Sequence, residues 1–299
     1  MNVKVENQPK STIKVIVTVP NIKIKEAFEK TLDAAVEQTL VEGFRKGKAP
    51  RDMVRDQVGV SKLYGDVINE VLQTFYPQAL KENHIAAIAN PKVEIKEFDI
   101  EKDLEFTATV AVKPEVKIGD YKKSLKDYYT KRIEDAKKQN VTDAKEGEAP
   151  KVPHVHLSPN EVIDILVKEA TLEVSDLLID DETERMMARL VDQAQSIGLS
   201  IDQYLKAQNK TSEQLKKDYS SMAERNLKAE FVMGKLISDT KVEADDKEIE
   251  ETIKAAGFED TDKRMSDPIE KFYVKSILQK NKLLSNLIDE IEGENHHDH

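Results

Sequence analysis

Apolar residues alternate with a period of two only within the first 112 positions of this chain. After residue 158 they recur at helical spacing alone. That switch separates a part that can build a sheet from a part that can build only helices.

In the first part, Ser11 to Val19 places Ile13, Val15, Val17 and Val19 on one face, which predicts a strand stopped by Pro20. Ile22 to Val41 reads as a helix with Ile24, Ala27, Phe28, Thr31, Leu32, Ala35, Val36 and Leu40 on one stripe. A basic loop follows. Pro50 fits the first turn of the next helix, where its missing N–H costs nothing. That helix runs from Arg51 to Val58 and stops at Gly59. Another is expected from Ser61 to Glu82, with a kink or break at Pro77. Strands at about Ala87 to Phe98 and Leu104 to Val112 close the unit, turning at Asp99 to Asp103. The order is β-α-loop-α-α-β-β, an α+β domain.

The second part opens differently. Pro114 to Tyr121 leaves the first domain, and Lys122 to Gln139 reads as a polar, lysine-rich helix. Asn140 to Pro153 has the composition of a linker, from which no core can be packed. Ser158-Pro159-Asn160-Glu161 and Thr211-Ser212-Glu213-Gln214 are capping boxes that open helices. Further helices are expected at Asp180 to Ile197, after Ser200, at Asp245 to Ala256 and at Asp267 to Ile291. An elongated all-α C-terminal domain follows.

Composition narrows the function. Hydrophobic residues make up 39% and aromatics 5% of 299 residues, with no tryptophan, which is a lean core. The absence of cysteine excludes disulfides and thiol catalysis. The N-terminus lacks the apolar stretch of a signal peptide, and no run reaches the length of a membrane span. A cytoplasmic protein without membrane contact is expected. Residues 1–119 carry 18 basic and 18 acidic side chains; the remainder carries 28 and 39, and so the whole net charge of −11. Only the neutral part is suited to touch phosphates.

Within it lies Gly43-Phe44-Arg45-Lys46-Gly47-Lys48-Ala49-Pro50, a cationic loop with one aromatic residue. It is not a nucleotide-binding loop. Its glycine spacing is one residue short, Ala49 stands where a magnesium-binding hydroxyl is needed, and it follows a helix rather than a strand. A solvated basic turn is the plain alternative. Phe44 argues against it, because it can fill a pocket or stack while Arg45 pairs with phosphate or carboxylate. Lys48 and Arg51 rank second. His154 and His156 are too few for a structural metal, and His296, His297 and His299 fall in a tail expected to be disordered. Neither a metal nor a cofactor is expected. Met186, Met187, Met222, Met233 and Met265 read either as core filling or as an adaptable binding surface.

The loop, the strand ending in Val19-Pro20, the helix with Ala27-Phe28, and Phe106 to Pro114-Glu115-Val116 resemble the bacterial trigger factor family of ribosome-associated chaperones. Val174 to Glu182 is similar to that family's junction into an arm of its helical domain. The resemblance implies four segments: a ribosome-binding domain at 1–119, a polar helix and flexible linker at 120–157, a helical chaperone domain at 158–293, and the tail at 294–299. Family members usually carry an FKBP-like prolyl isomerase domain in the middle, and Lys122 to Leu157 is too short and polar to hold one. No enzymatic activity is therefore expected. The resemblance further implies docking beside the exit tunnel, against a ribosomal protein and nearby rRNA. Phe44, Arg45 and Lys46 would make the contact, with Gly43, Gly47 and Lys48 supporting them. The helical part would form a cradle for nascent and unfolded polypeptides, working without ATP. A weak homodimer stays open. The competing readings are an RNA- or ribosome-binding adaptor without chaperone activity, and an isomerase homologue with residual turnover.

Overall fold

The computed structural model describes residues 1–143, 155–256 and 261–293. His154, the tail histidines and most of the expected linker lie outside them. The chain separates into two compact units: Met1–Pro114 with Glu173–Glu184, and Glu115–Leu172 with the residues from Arg185 on.

The first unit contains β1 (Asn2–Gln8), β2 (Thr12–Val19), α1 (Asn21–Gln38), α2 (Arg51–Val58), α3 (Val60–Glu82), β3 (Lys92–Ile95) and β4 (Leu104–Ala111). The four strands form an antiparallel sheet in the order β1-β2-β4-β3. Alternation dictates its buried face. Val15, Val17 and Val19 pair with Ala108, Phe106 and Leu104, and all six are buried. Ile24 of α1 and Val67, Val71 and Ala79 of α3 complete this core. Tyr64 bridges Phe28 and Phe98 by edge-on ring contacts at 6.3 and 5.1 Å.

Three elements differ from the sequence expectation. The first strand, β1, is additional; as an edge strand with one paired side it tolerates Glu6, Asn7 and Gln8, which hide its pattern. The strand expected over Ala87–Phe98 shrinks to Lys92–Ile95 plus a bridge from Ala87 to Val112, because Pro91 has no N–H for the ladder. Helix α3 continues through Pro77, with core residues on both sides of it; packing there outweighs the lost backbone bond.

The turn joining β1 to β2 is unusual. Pro9, Lys10 and Ser11 make the loop, and Lys10 and Ser11 have φ of 57° and 50° without being glycine. Residues 173–176 hold this turn. Glu173 accepts from the Lys10 N–H through Oε2 (3.2 Å) and from Ser11 Oγ through its carbonyl (3.0 Å). Lys10 Nζ reaches Asp176 at 2.8 Å, and Thr12 Oγ1 lies 2.9 Å from the buried Ser175 Oγ. These contacts explain why 173–184 groups with the first unit instead of the helical part expected from the sequence.

The second unit holds β5 (Lys117–Ile118), α4 (Tyr121–Asp143), α5 (Pro159–Glu169), β6 (Ala170–Thr171), the later part of α6 (Asp176–Ser196), α7 (Ile201–Ala207), α8 (Ser212–Thr240), α9 (Asp246–Ala255), α10 (Thr261–Ser266) and α11 (Pro268–Glu292). A short antiparallel pair, β5 with β6, is the only sheet here among the described residues. The core draws Leu125 from α4, Val162 and Leu166 from α5, Val232 and Met233 from α8, and Leu283 from α11. The polar helix α4 is therefore packed into this unit through Leu125. Met233 is buried, whereas Met222 is half exposed.

Four helices start with the same device. Ser158 and Glu161, Ser200 and Gln203, Thr211 and Gln214, and Asp245 and Glu248 each exchange side-chain and backbone bonds across three residues. Each box satisfies two of the N–H groups that a helix start leaves open.

Candidate docking loop

The segment between α1 and α2 is two tandem β-turns. The Phe44 N–H donates to the Val41 carbonyl at 3.1 Å, and the Lys48 N–H donates to the Arg45 carbonyl at 2.9 Å. Gly43 and Gly47 stand third in their turns, with φ of +83° and +78°. A turn with positive φ at that position calls for glycine, since a Cβ would strain the backbone. The glycines thus fix the curvature that the sequence only suggested.

The base of the loop is fastened. Val41 and Ala49, on either side of the turns, are buried with Val54 in a small separate core, against Ala35, Val36 and Val58. Gln57 Nε2 donates to the Leu40 carbonyl at 2.9 Å. Pro50 occupies the position just before α2 rather than its first turn. Arg51 takes no part in the exposed tip. Its guanidinium pairs with Glu29 at 2.6 Å and with Asp33, which clamps α2 to α1.

The tip has the opposite character. Phe44 and Arg45 fall at the junction of the two turns, and Glu42 to Lys46 and Lys48 are exposed. Phe44 shows 39% of its surface. Among the described residues, Arg45, Lys46 and Lys48 have no carboxylate partner. Most other basic residues of this unit do, as with Lys23 to Glu26, Lys25 to Glu101 and Lys30 to Glu70. The arrangement offers an apolar ring and three cations on a short, braced projection. Such a surface suits a partner with an apolar pocket bordered by negative charge.

Leu40, expected on the buried stripe of the first helix, instead lies beyond the end of α1 at Gln38 and is exposed, as is Met53, which the sequence did not single out. Periodicity extends the stripe to Leu40 because it does not register where the helix ends. Among the described residues no group of three or more acidic or histidine side chains could hold a metal. Nor, among the described residues, is any helix long and apolar enough to cross a membrane.

Comparison with known proteins bears on both units. The family model described as bacterial trigger factor protein matches residues 1–145, and that described as bacterial trigger factor protein C-terminus matches 156–297. The chain belongs to the trigger factor family. Trigger factor from Clostridium acetobutylicum is 42% identical over 122 residues, 41% of this chain and 28% of the relative. That from Staphylococcus carnosus is 41% identical over 106 residues, 36% of this chain and 24% of the relative. The chain thus spans less than a third of the curated trigger factors it matches. A solved structure, "Promiscuous Substrate Recognition in Folding and Assembly Activities of the Trigger Factor Chaperone", has a TM-score of 0.64 over 97% of this chain and all of that one. At 14% identity this is a likeness of fold. Only residues 146–155 separate the two matched stretches, so the chain lacks the isomerase region of a trigger factor.

Proposed function

We propose that this trigger factor is a cytoplasmic, ATP-independent chaperone that docks on the ribosome beside the polypeptide exit tunnel. The loop Gly43 to Pro50 makes the contact. The carrying observation is the division of labour within the loop: Val41 and Ala49 are buried anchors, while Phe44, Arg45 and Lys46 are exposed and the two cations lack partners among the described residues. Phe44 supplies the apolar contact. Arg45 and Lys46 meet acidic side chains of a ribosomal protein or phosphates of nearby rRNA. Exposed charge pairing is screened, so binding weakens as salt rises.

The helical unit receives nascent and unfolded polypeptides. Exposed Ile269, Phe272 and Tyr273 on α11 support this reading, since three large apolar side chains on adjoining turns suit weak contact with unfolded chains. Binding and release run on affinity and on competition with folding. The chain is not an isomerase, which accords with its missing middle region.

Ribosome co-sedimentation tests the proposal. Phe44→Ala combined with Arg45→Ala and Lys46→Ala is expected to abolish pelleting with ribosomes and to leave suppression of aggregation largely intact. Normal pelleting of this variant would exclude the loop as the docking site. Efficient catalysis of proline-limited refolding would restore the isomerase reading.

A further inference from the structure

Helix α4 carries seven basic and four acidic residues in the more acidic part of the chain. Its cations divide into two groups. Those beside the core are committed: Lys122 pairs with Glu290 at 2.7 Å, and Arg132 with Glu161 at 2.5 Å. Together with the buried Leu125 they fix which face of α4 turns inward. The opposite face exposes Lys123, Lys126, Lys131 and Lys137, which have no ion-pair partner among the described residues. Lys123 to Lys137 spans fourteen residues, about 21 Å along the axis at roughly 1.5 Å per residue. Asp127, Glu134 and Asp135 share the exposed surface, and of these Asp135 engages Lys138 at 3.6 Å.

We propose that the outward face of α4 is a polyanion-binding surface that takes the phosphate backbone of double-helical RNA. Its lysines stand on a rigid rod at axial steps of about 4.5, 7.5 and 9 Å at roughly 1.5 Å per residue, with Asp127 and Glu134 between them, and their flexible stems let them reach neighbouring phosphates. Lysine is a flexible point charge, without the planar fork that reads a base edge or carboxylate, so the contact is independent of sequence. Double-helical RNA is recognised largely by its shape and backbone, which fits a stripe of lysines without exposed aromatic residues. The surface lies in a different unit from the loop and does not rest on the docking proposal.

The test uses the full chain and a fluorescent 20-base-pair RNA duplex, read by anisotropy. With four phosphate contacts and the slope known for duplex DNA, affinity is expected to fall about 100-fold between 50 and 200 mM salt. Changing Lys123, Lys126, Lys131 and Lys137 together to Gln should remove at least about tenfold of the affinity at 50 mM salt and flatten the salt slope. Gln is a good helix former, so helicity by circular dichroism should not change. The same four positions changed to Arg should retain binding. The Phe44, Arg45 and Lys46 alanine variant should also retain it, which separates this surface from the loop. Unchanged binding by the Gln variant would overturn the proposal. So would failure of the unaltered chain to bind RNA at 50 mM salt, or its capture by polyglutamate in preference to the duplex.

Discussion

Two turns of the first unit reach positive φ by opposite means. The loop at 41–48 uses Gly43 and Gly47, and its tip cations have no ion-pair partner among the described residues. The turn at 9–11 uses Lys10 and Ser11, and Glu173, Ser175 and Asp176 grip it. Non-glycine residues in the left-handed region persist where surrounding contacts hold them. Glycines need no such support, so their loop can leave its charged side chains unused by the fold. Free cations on a relaxed, braced loop are what the docking proposal requires of this turn. A strained turn with a committed lysine marks the one built for stability.

The largest expected effect falls on the relaxed turn. The triple alanine variant at Phe44, Arg45 and Lys46 should lower ribosome affinity by roughly 100-fold or more, the scale of losing a binding hot spot. Its melting temperature should stay unchanged, because the tip touches none of the cores. A simultaneous loss of stability would show that the tip serves the fold after all. Next comes Gly43→Ala. A Cβ there meets nothing within 4 Å, so the cost is backbone strain alone, about 1–2 kcal/mol. Relaxing that strain displaces Phe44, and ribosome affinity should drop by about tenfold in the same sedimentation assay.

On the strained turn, Lys10→Gly relieves the left-handed residue and removes the pair with Asp176. The two effects offset, and calorimetry should find a melting shift within roughly 2–4 °C, with ribosome binding unaltered. A large drop would mean that Asp176 contributes more than an exposed pair normally does. Smallest is Arg51→Gln. Arg51 is already committed to Glu29 and Asp33, so ribosome affinity should stay within about twofold. A tenfold loss would return Arg51 to the docking surface.

Much of this was legible in the sequence because it is local. The alternation in β2 and β4, the boxes at Ser158 and Thr211, and the glycine-flanked cationic loop are all set within a few residues. What escaped depends on distant partners. The commitment of Arg51 rests on carboxylates 18 and 22 residues earlier on another helix. The grouping of 173–184 with the first unit rests on contacts more than 160 residues apart, which no periodicity records. Edge strand β1 was obscured for a different reason, since its open side lets polar residues break the pattern.

The four reciprocal caps of the second unit differ in one chemical respect. Two close with a carboxylate, Glu161 at α5 and Glu248 at α9, and two with an amide, Gln203 at α7 and Gln214 at α8. The Ser158 N–H, with help from the Ser158 hydroxyl, Tyr128 and Arg132, lowers the Glu161 carboxyl from an ordinary 4.5 to about 2. Lys282 and then the Asp245 N–H hold Glu248 below its ordinary value as well. A depressed carboxyl adds stability that is complete above its unfolded pKa and is lost as pH falls through the folded one. Acid therefore attacks this bundle in a set order. Between about pH 4.5 and 2 the first turn of α5 should lose amide-exchange protection as Glu161 titrates, and the start of α9 should weaken in the same direction once Glu248 protonates below its ordinary value, while the amide-capped starts of α7 and α8 keep theirs.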